Sequence, residues 1–196
     1  MSATYARSSQ PLPGNEEENR FYSRYYPRRL MAEVLLDAIS QVTDVPTDFS
    51  KIAFPGADIR NTKFYGKGTR AIQLYDSAVV SYFLKSFGRN SREITCECQR
   101  SDEPSMVQVL HISNGDTLNK KLAQKDNWIG RKLTETTDDA IVIKQAYQRA
   151  LGRAPTGDES TRILSAFGEY PPEQRRKLFE DLLWGLMSSR EFLFNH

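Results

Sequence analysis

The chain has 196 residues, 39% of them hydrophobic, with 27 basic residues against 25 acidic ones and a net charge of +2. That length fits one domain or a domain plus an arm, and the apolar fraction is enough for a core, although no apolar run approaches the roughly 18 residues of a membrane span. The near-balanced charge excludes a global field for nucleic acid or an anionic membrane, so such a partner would need a local patch.

Residues 1–19 are rich in Ser, Pro and acid and end in Asn15-Glu16-Glu17-Glu18-Asn19, which reads as a flexible arm with little apolar matter to bury. Ser2-Ala3-Thr4-Tyr5 looks like the end of an element begun upstream, and no hydrophobic stretch of a secretory signal is present. The domain proper is placed at residues 20–196. It opens on RFYSRYYPRR, residues 20–29, where arginines alternate with Phe21, Tyr22, Tyr25 and Tyr26. Arginines beside aromatic rings suit a polyanion, because bases stack on rings and guanidinium groups meet phosphates. The plainer reading has the rings packed inward and Arg24, Arg28 and Arg29 paired with acids of neighbouring elements.

Pro27 is expected to open a helix over residues 28–42, with Leu30, Val34, Leu35, Ala38, Ile39 and Val42 as its apolar stripe. Pro46, Pro55, Gly56, Gly66 and Gly68 make residues 43–74 mostly irregular, with a short extended run at Thr69 to Leu74. Asp76 or Ser77 caps a helix to Phe87, ended by Gly88. Helical turns follow at Asn127 to Thr134 and from Thr137 or Asp138 to Leu151, the latter with Ile141, Ile143, Ala146 and Tyr147 inward. Thr156 and Glu159 form a capping box that opens a helix stopped by Gly168. Pro171-Pro172 begins the last long helix, whose rows Leu178-Leu182-Leu186 and Phe179-Leu183-Met187 wedge it between neighbours, and Phe192-Leu193-Phe194 buries the tail. The fold expected is all-α: an irregular bundle of six to seven helices, a long irregular loop region and at most one short strand pair.

Chemistry concentrates between Ile94 and Leu122. Ser101-Asp102-Glu103-Pro104 is a helix start, and that helix is expected to reach Ile112 before Asn114-Gly115 breaks it and Asp116 recaps. Cys96-Glu97-Cys98 is neither the haem-attachment nor the thioredoxin-like pattern. With His111 and a carboxylate or water the two thiolates would make a metal centre; otherwise they are small, partly buried side chains near a helix N-terminus, and a disulfide between them is strained. A lone histidine within an apolar helix is more often a hydrogen-bonded core residue than a base. Asn114 and Asp116 are polar candidates at the break, without the spacing of a calcium loop.

NRFYSRYYPRRLMAEVLLDAISQVT, GTRAIQLYDSAVVSYFLKSFGR, CECQRSDEPSMVQVLHISNGDTLNKKL and DLLWGLMSSREFLFNH, in this order, resemble the C-terminal part of the planctomycete DUF1553 domain, also called PSD1. One departure is Tyr75, where the family's QLPD motif has Pro. The resemblance implies a chain that begins part-way through its domain, and an exported, periplasmic parent in which DUF1549-like and cytochrome c-like domains lie upstream. Haem c would then be carried elsewhere in that parent, with no cofactor in this chain, and an oxidising setting would favour a Cys96–Cys98 disulfide. No activity is implied. A non-catalytic binding or scaffold module is the leading reading. Its rivals are a metal or thiol centre at Cys96, Cys98 and His111, and a polyanion or glycan site at Arg24, Tyr25, Arg28 and Arg29. Nucleic acid is not an expected partner.

Overall fold

The computed structural model describes residues 8–18, 20–54, 56–75, 78–89 and 115–195. Cys96, Cys98, His111, Asn114, the helix expected from Ser101 and the expected cap at Asp76 or Ser77 lie outside them. Among the described residues the α-helices are α1 (Ala32–Thr43), α2 (Tyr82–Ser86), α3 (Asp116–Leu122), α4 (Trp128–Glu135), α5 (Asp139–Leu151), α6 (Gly157–Gly168), α7 (Arg175–Ser188) and α8 (Arg190–Leu193). Two antiparallel strands, β1 (Lys51–Ile52) and β2 (Arg60–Asn61), pair Lys51 with Asn61 and Ile52 with Arg60. Among the described residues the all-α architecture with one short strand pair is therefore the one observed.

Two helices organise the bundle. α1 touches α2, α3, α4 and α5, while α7 touches α3, α4, α5 and α8. Between them lies one core that includes Leu35, Ile39, Phe87, Ile129, Val142, Ile143, Phe179, Leu183 and Met187, each 2% exposed or less. Phe167 of α6 meets the Phe179 ring edge-on at 4.9 Å, so α6 joins this core through partly buried side chains. Of the two rows read along α7, Phe179, Leu183 and Met187 are buried throughout, whereas in the other row only Leu186 is buried, Leu182 packs half-buried on the core and Leu178 is half-buried; Phe192 of α8 is buried as well.

Local signals set the helix ends where the chain has them. Asp138 accepts the amides of Ala140 and Ile141 to start α5, and Gly152 closes it at φ 72°, a left-handed conformation that glycine adopts without strain. Thr156 and Glu159 satisfy each other's amides to start α6, as their spacing predicts. Asn127 accepts from Gly130 to start α4.

Tertiary contacts override the pattern elsewhere. α1 begins four residues later than expected, because Leu30 donates to the carbonyl of Leu193 at 2.9 Å and Arg29 bridges Phe194, holding that stretch extended against the chain end. The stripe of α1 then falls on Ala32, Leu35, Leu36, Ile39 and Val42, leaving Val34 37% exposed. In α5 Ile141, expected inward, is 47% exposed, and its neighbour Val142 is buried instead. Ala71–Gln73 is a 3-10 turn instead of an extended run, because the Asp37 carboxylate of α1 takes the amides of Ala71 and Ile72 at 2.6 and 3.1 Å. Val79 bridges Ile52 and the Val80 amide donates to Lys51, so α2 starts only at the Ser81 cap.

Candidate functional site

Among the described residues a concave feature lies at the C-terminal end of α1. Asp37, Ser40, Gln41 and Asp44 stand at positions i, i+3, i+4 and i+7, so they share a face. The Val45–Asp48 segment turns across that face, and the 66–70 loop faces it with Gly68 at φ 88°. A cleft of about 320 Å³ lies between α1 and the loop, and a second of about 490 Å³ lies beyond Pro46 and Thr47, toward Lys67 and Gln124. Volumes of this size accommodate a small molecule or a few residues of extended chain. Ser40 and Thr47 hydroxyls stand 3.0 Å apart at the shared wall.

The charged groups around this groove are held by the fold itself. Asp37 takes the two amides of the 3-10 turn and lies 3.5 Å from Arg70 Nε. Asp44, left-handed at φ 60°, closes α1 and receives both Arg131 and Arg149. Arg149 of α5 also donates from Nε to the carbonyl of Val42 at 2.8 Å and bonds that of Gln41, so it caps the end of α1 with a positive charge. Lys121 of α3 is only 6% exposed and donates to the carbonyl of Val45 at 2.5 Å. Burial pushes its pKa down to about 8, against the opposing pull of Asp37.

Two of the four rings of the Arg/Tyr segment do not pack inward as expected: Phe21 is 77% exposed and Tyr22 51%. Tyr25 is buried, and Arg24 donates to the carbonyls of Ser9 and Glu16 while lying 4.6 Å from the Tyr26 ring centre. Arg29 donates to the carbonyl of Phe87 at 3.1 Å and sits over its ring. Arg28 is exposed, and its amide meets Asn195 Oδ1 at 2.7 Å. Arg24 and Arg29 thus use carbonyl partners on different neighbours, 15 and 58 residues away. Glu18, whose pKa is held down to about 2 chiefly by the Phe21 amide and the Ser23 hydroxyl, ties the preceding residues to the same segment. Asp116 is the first residue of α3 and bonds Lys120 at 2.6 Å on the exposed surface.

None of the groove's charged groups stood out in the sequence, although the spacing of one of them carries a signal. Lys121 follows Leu118 by three and precedes Leu122, so it occupies the apolar side of its helix. Among the described residues no group of three or more His, Cys, Asp or Glu is arranged to hold a metal ion. No helix among them is long and apolar enough to cross a membrane.

A family model described as PSD1, a protein of unknown function (DUF1553), matches residues 1–167. The chain belongs to the PSD1 family. No curated protein and no solved structure matches it. The matched span of this PSD1 chain holds α1 to α5, most of α6 and the whole groove, whereas α7 and α8 lie beyond it and complete the same core.

Proposed function

We propose that this PSD1 chain is a non-catalytic helical binding and scaffold module of a larger exported, cytochrome c-associated polypeptide. Its groove at the end of α1 receives an extended segment of the parent's DUF1549-like or cytochrome c-like part. One observation carries the reading: Asp44 is clamped between Arg131 and Arg149, which turns the best-placed carboxylate of the groove into a strut. Asp37 and Lys121 are committed in the same way, to amides and to a carbonyl. General acid–base chemistry needs a group within reach of a substrate proton, and these groups serve the fold instead. What remains for a peptide backbone is the Gln41 amide and the acceptor lone pairs of the Thr47 and Thr69 hydroxyls, since Ser40 already donates to Leu36 and lies 3.0 Å from Thr47, and Thr69 donates to Gly66. The export and haem context rests on the family resemblance alone.

The test is calorimetric titration of the chain with separately produced DUF1549-like and cytochrome c-like segments of its parent. Binding that is lost when Ser40→Arg fills the groove, with the thermal midpoint unchanged, supports the module. Binding indifferent to that substitution, or none, refutes the groove. Metal content and a free-thiol count on protein purified without chelator test the rival. One metal per chain, lost in both Cys96→Ser and Cys98→Ser, would replace the scaffold with a metal centre.

A further inference from the structure

The span from Lys51 to Arg70 holds five basic residues and one acid, so it carries a charge of +4 while the whole chain carries +2. Its hairpin exposes apolar side chains where a soluble turn would carry polar ones. Phe54 is 55% exposed and Ile59 is 60% exposed, on either side of a tight turn in which Ala57 donates to the carbonyl of Phe54 and Gly56 has φ 73°. Just past β2, Phe64 is 66% exposed, with its ring edge-on to Tyr65 and Tyr75. Lys51, Arg60, Lys63 and Lys67 are exposed and form no salt bridge among the described residues, in contrast to Arg131, Arg149, Arg153 and Arg175. The hairpin is also anchored: Ala53 donates to Ala78, Val80 to Lys51 and Thr62 to Ser50, so the tip is presented on a fixed base.

We infer that this hairpin docks on an anionic lipid surface, with Phe54 and Ile59 entering the headgroup layer and the flanking cations meeting lipid phosphates. Apolar side chains at a protruding tip, rimmed by Lys and Arg, are the composition that such an interface selects. A single-stranded nucleic acid would need open ring faces for stacking. Phe54 alone offers an open ring at the tip, since Ile59 has none and Phe64 meets its two tyrosine neighbours edge to face; a single ring is less than the succession of stacked bases such a strand needs. The span borders the groove at the end of α1 only at residues 66–70; Phe54, Ile59, Lys51 and Lys63 line neither cleft, so variants at these four positions test the lipid contact independently of the scaffold reading.

The experiment is co-sedimentation of the chain with phosphatidylcholine vesicles prepared with and without phosphatidylglycerol. Binding is expected only to the anionic vesicles, and it should weaken about tenfold or more in the Phe54→Ser/Ile59→Ser double variant. Lys51→Glu/Lys63→Glu should weaken it similarly, and added salt should weaken the wild type. All four side chains are exposed, so the melting curve of each variant should match that of wild type. No binding to anionic vesicles, or binding indifferent to both double variants, overturns the inference. So does self-association abolished by the Phe54→Ser/Ile59→Ser change, which would assign the face to a second copy. Binding to oligothymidylate without vesicle binding would assign it to nucleic acid.

Discussion

Lys121 Nζ donates to the carbonyl of Val45 at 2.5 Å from a position 6% exposed, which ties α3 to the chain leaving α1. The contact satisfies a carbonyl just past the helix end, but it does so by burying an ammonium, and its folded pKa of about 8 lies below the ordinary 10.5. Between those two values the unfolded chain binds the extra proton. The buried charge therefore weakens the fold fully below about pH 8, and stability is regained as pH rises toward 10.5. Lys121→Met should flatten this rise. The stability difference between wild type and variant across the window is expected to change by on the order of 2–3 kcal/mol, read from urea unfolding at several pH values. Parallel curves would mean that Lys121 titrates normally.

The Asp44 clamp predicts unequal losses. Its side chain is 49% exposed, so Asp44→Asn, which keeps a residue tolerant of φ 60°, should cost only about 1 kcal/mol and less at high salt. Arg149→Ala also strips the end of α1 of the donor to Gln41 and Val42 and uncovers the Trp128 ring. It should cost about 2–3 kcal/mol in urea unfolding. Equal costs would show that the ion pair, and not the capping of α1, is what Arg149 contributes.

Thr156 and Glu159 were readable because a capping box is local, and the α7 rows because two apolar stripes leave little choice of face. The phase of α1 was not readable: Leu30 looks like its first apolar position, yet pairing with Leu193 takes it out of the helix. The 3-10 turn at Ala71 depends on a carboxylate 34 residues away. Strands of two residues carry no alternation to detect. The groove was hidden for the same reason, since Arg149 reaches Val42 across 107 residues of sequence. The exposed hairpin is different: Phe54, Ile59 and the lysines were visible as residues, and only their exposure was not.

Arg153 predicts an acid-sensitive link between α6 and α8. Its guanidinium holds Glu159 at 2.8 and 2.9 Å and Glu191 at 2.6 and 2.9 Å. The Arg153 bonds, followed by the Thr156 amide, hold the pKa of Glu159 down to about 2 from 4.5. A depressed carboxylate stabilises the fold above its unfolded pKa, and that contribution fades as pH falls from 4.5 through about 2. Arg153→Ala should therefore be less stable than wild type at neutral pH, with the gap narrowing across that window. Carbon-detected NMR titration of Glu159 supplies the direct check: its midpoint should move upward in the variant. An unmoved midpoint would leave the Thr156 cap as the whole cause.

Two helical glycines predict opposite outcomes for the same substitution. Alanine ordinarily stabilises an exposed helix interior by about 1 kcal/mol relative to glycine, because it restricts the unfolded chain. Gly185 in α7 has nothing within 4 Å of where a Cβ would stand, so Gly185→Ala should show that gain. A Cβ on Gly130 in α4 would lie 1.9 Å from the backbone carbonyl oxygen of Lys125. That carbonyl cannot swing aside freely, because Arg176 of α7 holds it and the neighbouring carbonyl of Gln124 at 3.3 and 2.7 Å. Gly130→Ala must displace the turn between α3 and α4, and with it Asn127, which bonds the carbonyls of Lys121 and Leu122. The expected loss is about 2–3 kcal/mol in urea unfolding, with an unchanged slope. A stabilising Gly130→Ala would mean that this turn stands farther from α4 than the packing around Arg176 places it.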